Sequence, residues 1–447
     1  MTLIFAVKGL AIIGPKGNGH DNGALRYRWY IWGIMVCSFV VAFFHRLAPG
    51  VLREELTNAF DLTATSFGTL ASMYFYAYMI MQIPVGMLAD SLGARITVSI
   101  GMFMTALGSL LFGMARTSPL IFLGRFIVGI GVSTVFVCIL KIQSRWFRER
   151  EFATMSGLTL LVGNSGGILA QTPLAVLVTI ISWRTVFLFV ALVSFLMGVL
   201  SFLIIRNDPS EMDFEPVNEM ILPESTSRGD LSQLSRAAGN VLAHWPMWPA
   251  MIFYAFINGT WLAFLGAWGV SYLTSVYGLP KSQAADFIIW GLLGLIVGSL
   301  SVGWISDKLG KRKLPMLTLG WGYTIIWGIL VFANGGRPPL GMIKPLFFLM
   351  GFCFTCFVLS LSVVKELNLP RYTGVATAVY NTAGFLGVPL VATLIGYIID
   401  RLSPIMDPVA QYHYAFLLIF SMMVTGTLLL IFLPETNCEN IHRKGSF

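Results

Sequence analysis

The chain has 447 residues, of which 56% are apolar and 11% charged, with a formal net charge of +8. A soluble domain carries about 25% charged residues, so this composition, with a mean hydropathy of +0.77, excludes an ordinary soluble protein. The positive balance says nothing about nucleic acid until the charges are placed along the chain.

Residues 1–28 hold Lys8, Lys16 and Arg26 around a short apolar run, Leu10 to Ile13. That run is too weak for a signal peptide, and no small-residue cleavage site follows it. It is expected to be a cytoplasmic tail. A membrane helix needs about 20 largely apolar residues. Twelve segments meet this: roughly 29–52, 66–88, 95–115, 119–141, 153–178, 183–204, 247–276, 284–304, 314–334, 344–365, 373–397 and 411–433. Residues 207–246 form the one long polar stretch, rich in Asp, Glu and Pro, and read as a cytoplasmic linker between two six-helix bundles, 29–206 and 247–433. Residues 434–447 form a second cytoplasmic tail. With both ends on one side, that side carries 20 Lys or Arg and the other 7; Arg46 and Arg125 lie within helices. The bias predicts a multi-pass protein with both termini cytoplasmic, and it accounts for most of the net charge.

Pro84, Pro173 and Pro389 are expected to interrupt helices 2, 5 and 11. Helix 5 carries Gly163-Asn164-Ser165-Gly166, and helix 11 carries Asn381-Thr-Ala-Gly384-Phe-Leu-Gly387; such spacing lets helices approach closely. The C-x-x-C pair Cys353 and Cys356 sits in a wholly apolar segment and reads as packing rather than redox or metal chemistry. No metal or cofactor is expected.

One stretch occurs twice. Gly86-Met-Leu-Ala-Asp90-Ser-Leu-Gly93-Ala-Arg95 joins helices 2 and 3, and Gly303-Trp-Ile-Ser-Asp307-Lys-Leu-Gly310-Lys-Arg312 joins helices 8 and 9. In each copy the Asp sits where a helix leaves the bilayer, and the second Gly permits a reversal at positive φ. The basic residues anchor the turn. Two copies half a chain apart imply a duplicated architecture.

At these residues the chain resembles the major facilitator superfamily of transporters, over nearly its whole length. The first copy departs from the family pattern at Ser91 and Ala94, where basic residues are usual. The resemblance implies an all-α membrane fold of twelve transmembrane helices in two pseudo-symmetric six-helix bundles. It also implies alternating access, with helices 1, 4, 7 and 10 lining the cavity and helices 2, 5 and 11 flexing as gates.

Charges inside a membrane are costly and mark function. His45-Arg46 lies in the outer half of helix 1. A guanidinium there suits a carboxylate, sulfonate or phosphate; the plainer reading is an Arg snorkelling to the interface. Several organic-anion branches of the superfamily, among them the anion:cation symporters and the organophosphate antiporters, carry an Arg at this place. The text around His45-Arg46, with Tyr74, Tyr78, Gln82 and Pro84, is also similar to a bacterial group that includes the Legionella phagosomal transporters of amino acids and nucleosides. Arg125, with Gly129 and Gly131, resembles the R-x-x-x-G-x-G pattern of helix 4, which implies proton coupling or substrate contact. Helix packing is the alternative reading. His45 is the candidate proton site; Asp286 is more simply a helix cap. Lys141 and Lys365 end helices 4 and 10 and either line the cavity mouth or snorkel. Tyr74, Tyr78 and Gln82 share one face of helix 2. Asn258, Trp261 and Trp268 on helix 7, and Tyr380 and Asn381 on helix 11, complete the candidate set. Gly163-Asn164-Ser-Gly166-Gly167 is similar to the glycine signature of nitrate carriers, but helices 2 and 8 lack the Arg those carriers place there.

The expectation is a monomeric secondary transporter, not an enzyme. It moves a small organic anion or carboxylate-bearing metabolite, with proton-coupled uptake, in a bacterial inner membrane. Amino acids or nucleosides are the alternative substrates. A multidrug exporter of this fold would want an acid in the cavity, and no Asp or Glu stands at mid-membrane. A membrane-embedded enzyme would need a catalytic cluster that His45 alone does not supply. A non-transporting receptor has no sequence mark against it.

Overall fold

A computed structural model describes residues 21–212, 214, 231–369 and 373–440. The expected N-terminal tail up to residue 20, residues 213 and 215–230 of the linker and the end of the C-terminal tail lie outside these residues. Span 1 is α1 (Asp21–Val51), followed by the short α2 (Arg53–Phe60). Span 2 is α3 (Ala64–Ile80) and α4 (Gln82–Ser91). Spans 3 and 4 are α5 (Gly93–Met114) and α6 (Ser118–Trp146). Span 5 is α7 (Glu149–Leu169) and α8 (Thr172–Ile180), and span 6 is α9 (Trp183–Ile204). After the linker helix α10 (Leu231–Ala243), span 7 is α11 (Trp248–Ala263), a π turn at Phe264–Trp268 and α12 (Gly269–Tyr277). Spans 8 and 9 are α13 (Lys281–Leu309) and α14 (Lys313–Phe332). Span 10 is α15 (Leu340–Phe354) and α16 (Cys356–Leu367); spans 11 and 12 are α17 (Thr373–Leu402) and α18 (Pro408–Leu429).

Eleven of these spans are long and apolar enough to cross a membrane as they stand. Span 2 falls short because it is broken at Met81. Pro84 lacks the N–H that the Ile80 carbonyl would accept, so the ladder fails one turn earlier. Pro173 does the same to Leu169, and span 5 breaks at Ala170 and Gln171. The expectation for Pro389 is corrected: α17 runs through it without a break. Span 11 packs against span 2 and span 7 along its length, and that packing holds the helix across the missing bond. The interruptions in spans 7 and 10 have no proline in the break. At the second, Thr355 turns its hydroxyl back to the Phe352 carbonyl at 2.6 Å, in competition with the helix ladder.

The duplication extends to the backbone. Gly93 and Gly310 reverse the chain at φ of 82° and 61°. After each reversal, a residue from the segment following the bundle's sixth span caps the new helix. Asn207 Oδ1 accepts from the Arg95 N–H at 2.9 Å, and Glu435 accepts from the N–H groups of Arg312 and Lys313 at 2.8 and 3.0 Å. The long cations answer by capping the last carbonyls of that sixth span, Arg95 on Phe202 and Lys313 on Ile431. Burial alone would raise the Glu435 carboxyl, but the N–H groups of Arg312, Asn437, Lys313 and Thr436 hold it below the usual carboxylate range. This cap therefore contributes above that range and is lost only as pH falls through the lowered value.

An even number of spans brings both described ends to one side, the termini side. On the opposite, far side the bundles touch. A Cβ on Gly68 would lie 2.4 Å from the Ala392 carbonyl oxygen, and one on Gly396 would lie 2.3 Å from that of Ala64. Spans 1 and 7 meet at Gly50 and Gly266. On the termini side the spans part: span 11 packs along α3, the far half of span 2, and hardly against α4, and span 8 packs more against α8, the far half of span 5, than against α7. The protein is thus closed at the far side and splayed at the termini side.

Candidate functional site

Arg46 projects from span 1 into the seam between the bundles. Its guanidinium carbon lies 4.6 Å from the ring centre of Phe43, 5.9 Å from Tyr74, 5.7 Å from Tyr78 and 6.0 Å from Phe385. Phe385 belongs to span 11, so both bundles contribute to the cage. Aromatic faces attract a cation, but they accept none of its hydrogen bonds, and the buried Arg46 Nε has no acceptor. Among the described residues no carboxylate pairs with Arg46. The cage is one cation with an unmet Nε donor, which is the complement of an anion.

Arg125 on span 4 is almost completely buried. Its Nη1 donates to the His45 carbonyl at 2.5 Å, and its guanidinium lies 5.0 Å from the Tyr74 ring centre. Its Nε and Nη2 have no acceptor. Tyr74 therefore stands between two guanidiniums, with its hydroxyl donating to the Ala42 carbonyl at 3.3 Å. His45 points the other way, into the core of the first bundle, with Nε2 at 2.9 Å from Ser109 Oγ and its ring against Phe187. Sequence adjacency placed His45 and Arg46 together; the helix turn between them sends them to different surroundings.

Tyr78 stacks parallel to Tyr74 and packs at 4.6 Å against Phe385, with the half-buried Gln82 one turn on, just past the break in span 2. On the second bundle, Tyr380 stacks on Tyr254 at 4.2 Å and donates to the Phe357 carbonyl at 3.1 Å. Asn258 Nδ2 donates to the Gly384 carbonyl at 3.0 Å, tying span 7 to span 11. Asn381 is half-buried, next to Tyr380. Trp261 stacks on Phe354 of span 10 at 4.7 Å. Trp268 lies nearer the far side, donating to the Ala392 carbonyl at 3.1 Å with the Arg53 guanidinium 4.8 Å from its ring. The structure thus gathers Arg46, Tyr74, Tyr78 and Arg125 into one group and places Asn258, Trp261 and Trp268 in helix contacts. Sequence reasoning missed Tyr254 and Phe385. Tyr254 stands one helical turn before Asn258, a spacing that flags it. Phe385 has no polar mark.

The paired Asp motifs differ. Asp90 pairs with Lys141 at 2.5 Å, and that ammonium also donates to the Ala89 carbonyl at 2.9 Å. Asp307 pairs with Arg312 at 2.7 Å. Arg312, only 12% exposed, also binds Glu366 at 3.1 Å. Lys365 is exposed, so the symmetry of the two lysines is not kept. Asp286, at the start of span 8, pairs with Lys344 at 2.7 Å. An exposed ion pair contributes about 0–1 kcal/mol, so the shared, half-buried Arg312 cluster is the stronger clamp. Asp90→Asn and Asp307→Asn are both expected to slow transport with little change in ligand affinity, Asp307→Asn more so. Initial rates and affinities measured side by side check this; two variants at the wild-type rate would reduce the motif to a connector.

Residues 34–392 match the family model described as Major Facilitator Superfamily. The chain is 25% identical over 434 residues to a probable sulfoacetate transporter of Cupriavidus necator, covering 92% of this chain and 94% of that one. It is 26% identical over 400 residues to the D-galactonate transporter of Escherichia coli, covering 83% and 89%. It is 24% identical over 406 residues to the hexuronate transporter of Bacillus subtilis, covering 88% and 91%. The crystal structure of the nucleoside transporter NupG superposes with a TM-score of 0.72 at 14% identity, covering 91% of this chain and 98% of that one. A D-xylose-proton symporter gives 0.69 at 13% identity, covering 93% and 100%. The likeness to solved structures carries the fold alone, while the family model spans most of the chain. The protein belongs to the Major Facilitator Superfamily and is a transporter, not an enzyme.

Proposed function

We propose that the protein carries a small organic anion bearing a carboxylate or sulfonate across the membrane by alternating access, with Arg46 as the anchor for the acidic group. One observation carries this reading: a half-buried cation, caged by rings from both bundles, with an unmet buried donor and, among the described residues, no protein counter-ion. The relatives named for sulfoacetate, galactonate and hexuronates support it, since each of those solutes has at least one carboxylate on a small polar body. Purified protein is screened for a rise in melting temperature with sulfoacetate, galactonate, hexuronates, amino acids and nucleosides, because a ligand of the native state stabilises it. A response to nucleosides or amino acids alone overturns the anion reading.

Proton-coupled uptake is the finer part of the proposal. Among the described residues no Asp or Glu stands in the middle of a span, which leaves His45 or the solute's own acidic group to carry the proton. Uptake into proteoliposomes with and without an acid-outside gradient tests this; equal accumulation removes the coupling. The Lys and Arg distribution supports a cytoplasmic termini side in a bacterial inner membrane, with the site open inward. Tags after Phe447 and within residues 225–235 are expected to be reached only from the cytoplasm. Labelling of the second tag on intact cells would overturn this orientation.

A further inference from the structure

Span 2 begins at the far side, and the first N–H groups of any helix lack partners within it. Thr63 serves as the local cap, its Oγ1 accepting from the Ser66 N–H at 3.1 Å. The other two early donors are met from the opposite bundle. Asp400, near the end of span 11, accepts the Ala64 N–H at 2.7 Å on one oxygen, and the Thr65 N–H at 2.8 Å and Thr65 hydroxyl at 2.6 Å on the other. A carboxylate seated on a helix N-terminus gains both charge-assisted hydrogen bonds and the helix dipole.

The approach is built into the sequence. Ala392, Gly396 and Asp400 recur every fourth residue on one face of span 11, opposite Ala64 and Gly68 of span 2. Gly396 is what lets the Ala64 backbone come close, since a Cβ there would overlap its carbonyl oxygen. One turn beyond, the Asp400 carboxylate meets the N–H groups. Two flanking contacts cross the same seam: Lys281 with Glu54 and Glu55, and Arg53 with Ser271 and Tyr412. Of these, the Lys281 pair is made by flexible side chains at a partly exposed edge. Asp400 alone among them grips backbone, so it cannot follow span 2 by swinging a partner side chain. Opening the far side must break all three of its bonds at once.

We propose that Asp400, capping the second span from across the bundle interface, is the latch that holds the far side of this transporter closed. The open state then leaves Ala64 and Thr65 to water, and the carrier passes between the two caps, protein and solvent, once per cycle.

The test needs no solute, so it stands or falls apart from the anion reading. Full-length protein in lipid nanodiscs is spin-labelled at Asn58→Cys and Ser403→Cys, one on each bundle at the far side, with the native cysteines replaced. The parent is expected to show one short inter-label distance. Asp400→Ala is expected to raise the ratio of the longer-distance, far-open population at least about tenfold, since each lost bond to a charged acceptor is worth about that factor. Asp400→Asn keeps one acceptor oxygen and a similar volume, and is expected to fall between the two. Lys281→Ala is expected to shift the ratio less than either. Unchanged distances in both Asp400 variants would overturn the latch. An equal shift in Lys281→Ala would also overturn it, by making the seam and not Asp400 the lock.

Discussion

Arg46→Ala is expected to abolish detectable binding at solute concentrations that saturate the native protein. The guanidinium sits in a partly desolvated cage, so an anion bound there exchanges its water for charge-assisted hydrogen bonds. Removing the partner of a buried charge costs roughly 2–5 kcal/mol, which is at least a ~30-fold loss of affinity at ~1.4 kcal/mol per tenfold. Arg46→Lys keeps the charge but gives up the planar fork and its stacking over Phe43, so weak binding is expected rather than none. The protein should still fold, because no carboxylate among the described residues pairs with Arg46. The rival role was an Arg reaching for the far-side headgroups. That role predicts near-native affinity for both variants, and isothermal titration of purified Arg46→Ala decides between them. An unchanged affinity would remove Arg46 from the site and with it the main support for an anionic solute.

What could be read before any coordinates followed from strong one-dimensional signals. Twenty-residue apolar runs separated by basic turns leave few alternatives to spanning helices. The doubled G-x-x-x-D-x-x-G stretch announced the duplication, and Gly93 and Gly310 take the positive φ that the reversal required. Proline was a fair guide to breaks at Met81 and Gln171 but failed at Pro389, because neighbours on both sides of span 11 outweigh one missing hydrogen bond. The π turn at Phe264–Trp268 and the break at Thr355 have no proline within them and were invisible. The candidate site was partly legible: a lone Arg inside an apolar segment is conspicuous, whereas the direction in which neighbouring side chains leave a helix is not. His45 and Arg46 are adjacent in sequence, yet one enters the bundle core and the other the seam. Asp400 was passed over for a similar reason. A carboxylate near a helix end is ordinary in sequence, and its partner is a backbone 335 residues away.

Gly387→Ala is expected to lower the melting temperature sharply and to disable ligand binding together. Spans 7 and 11 cross here with almost no side chain between them. A Cβ on Gly387 would lie 1.8 Å from the Ala255 carbonyl oxygen, and one on Gly259, across the crossing, would lie 2.6 Å from that of Gly387. Both obstacles are backbone, so no rotamer change relieves the overlap and the helices themselves must separate. Overpacking typically costs about 1–3 kcal/mol, and an overlap with backbone belongs at the upper end. The damage is expected to reach the site, because the same crossing seats Tyr254 against Tyr380 and brings Asn258 to the Gly384 carbonyl. Gly374→Ala is the internal control. It lies on the same helix toward the termini side, where an added Cβ meets nothing within 4 Å, so its melting temperature should match or slightly exceed the native value. The comparison isolates the crossing from any general effect of changing a glycine in span 11. Equal melting temperatures for Gly387→Ala and Gly374→Ala would show that the two spans do not meet as closely as the structure has them.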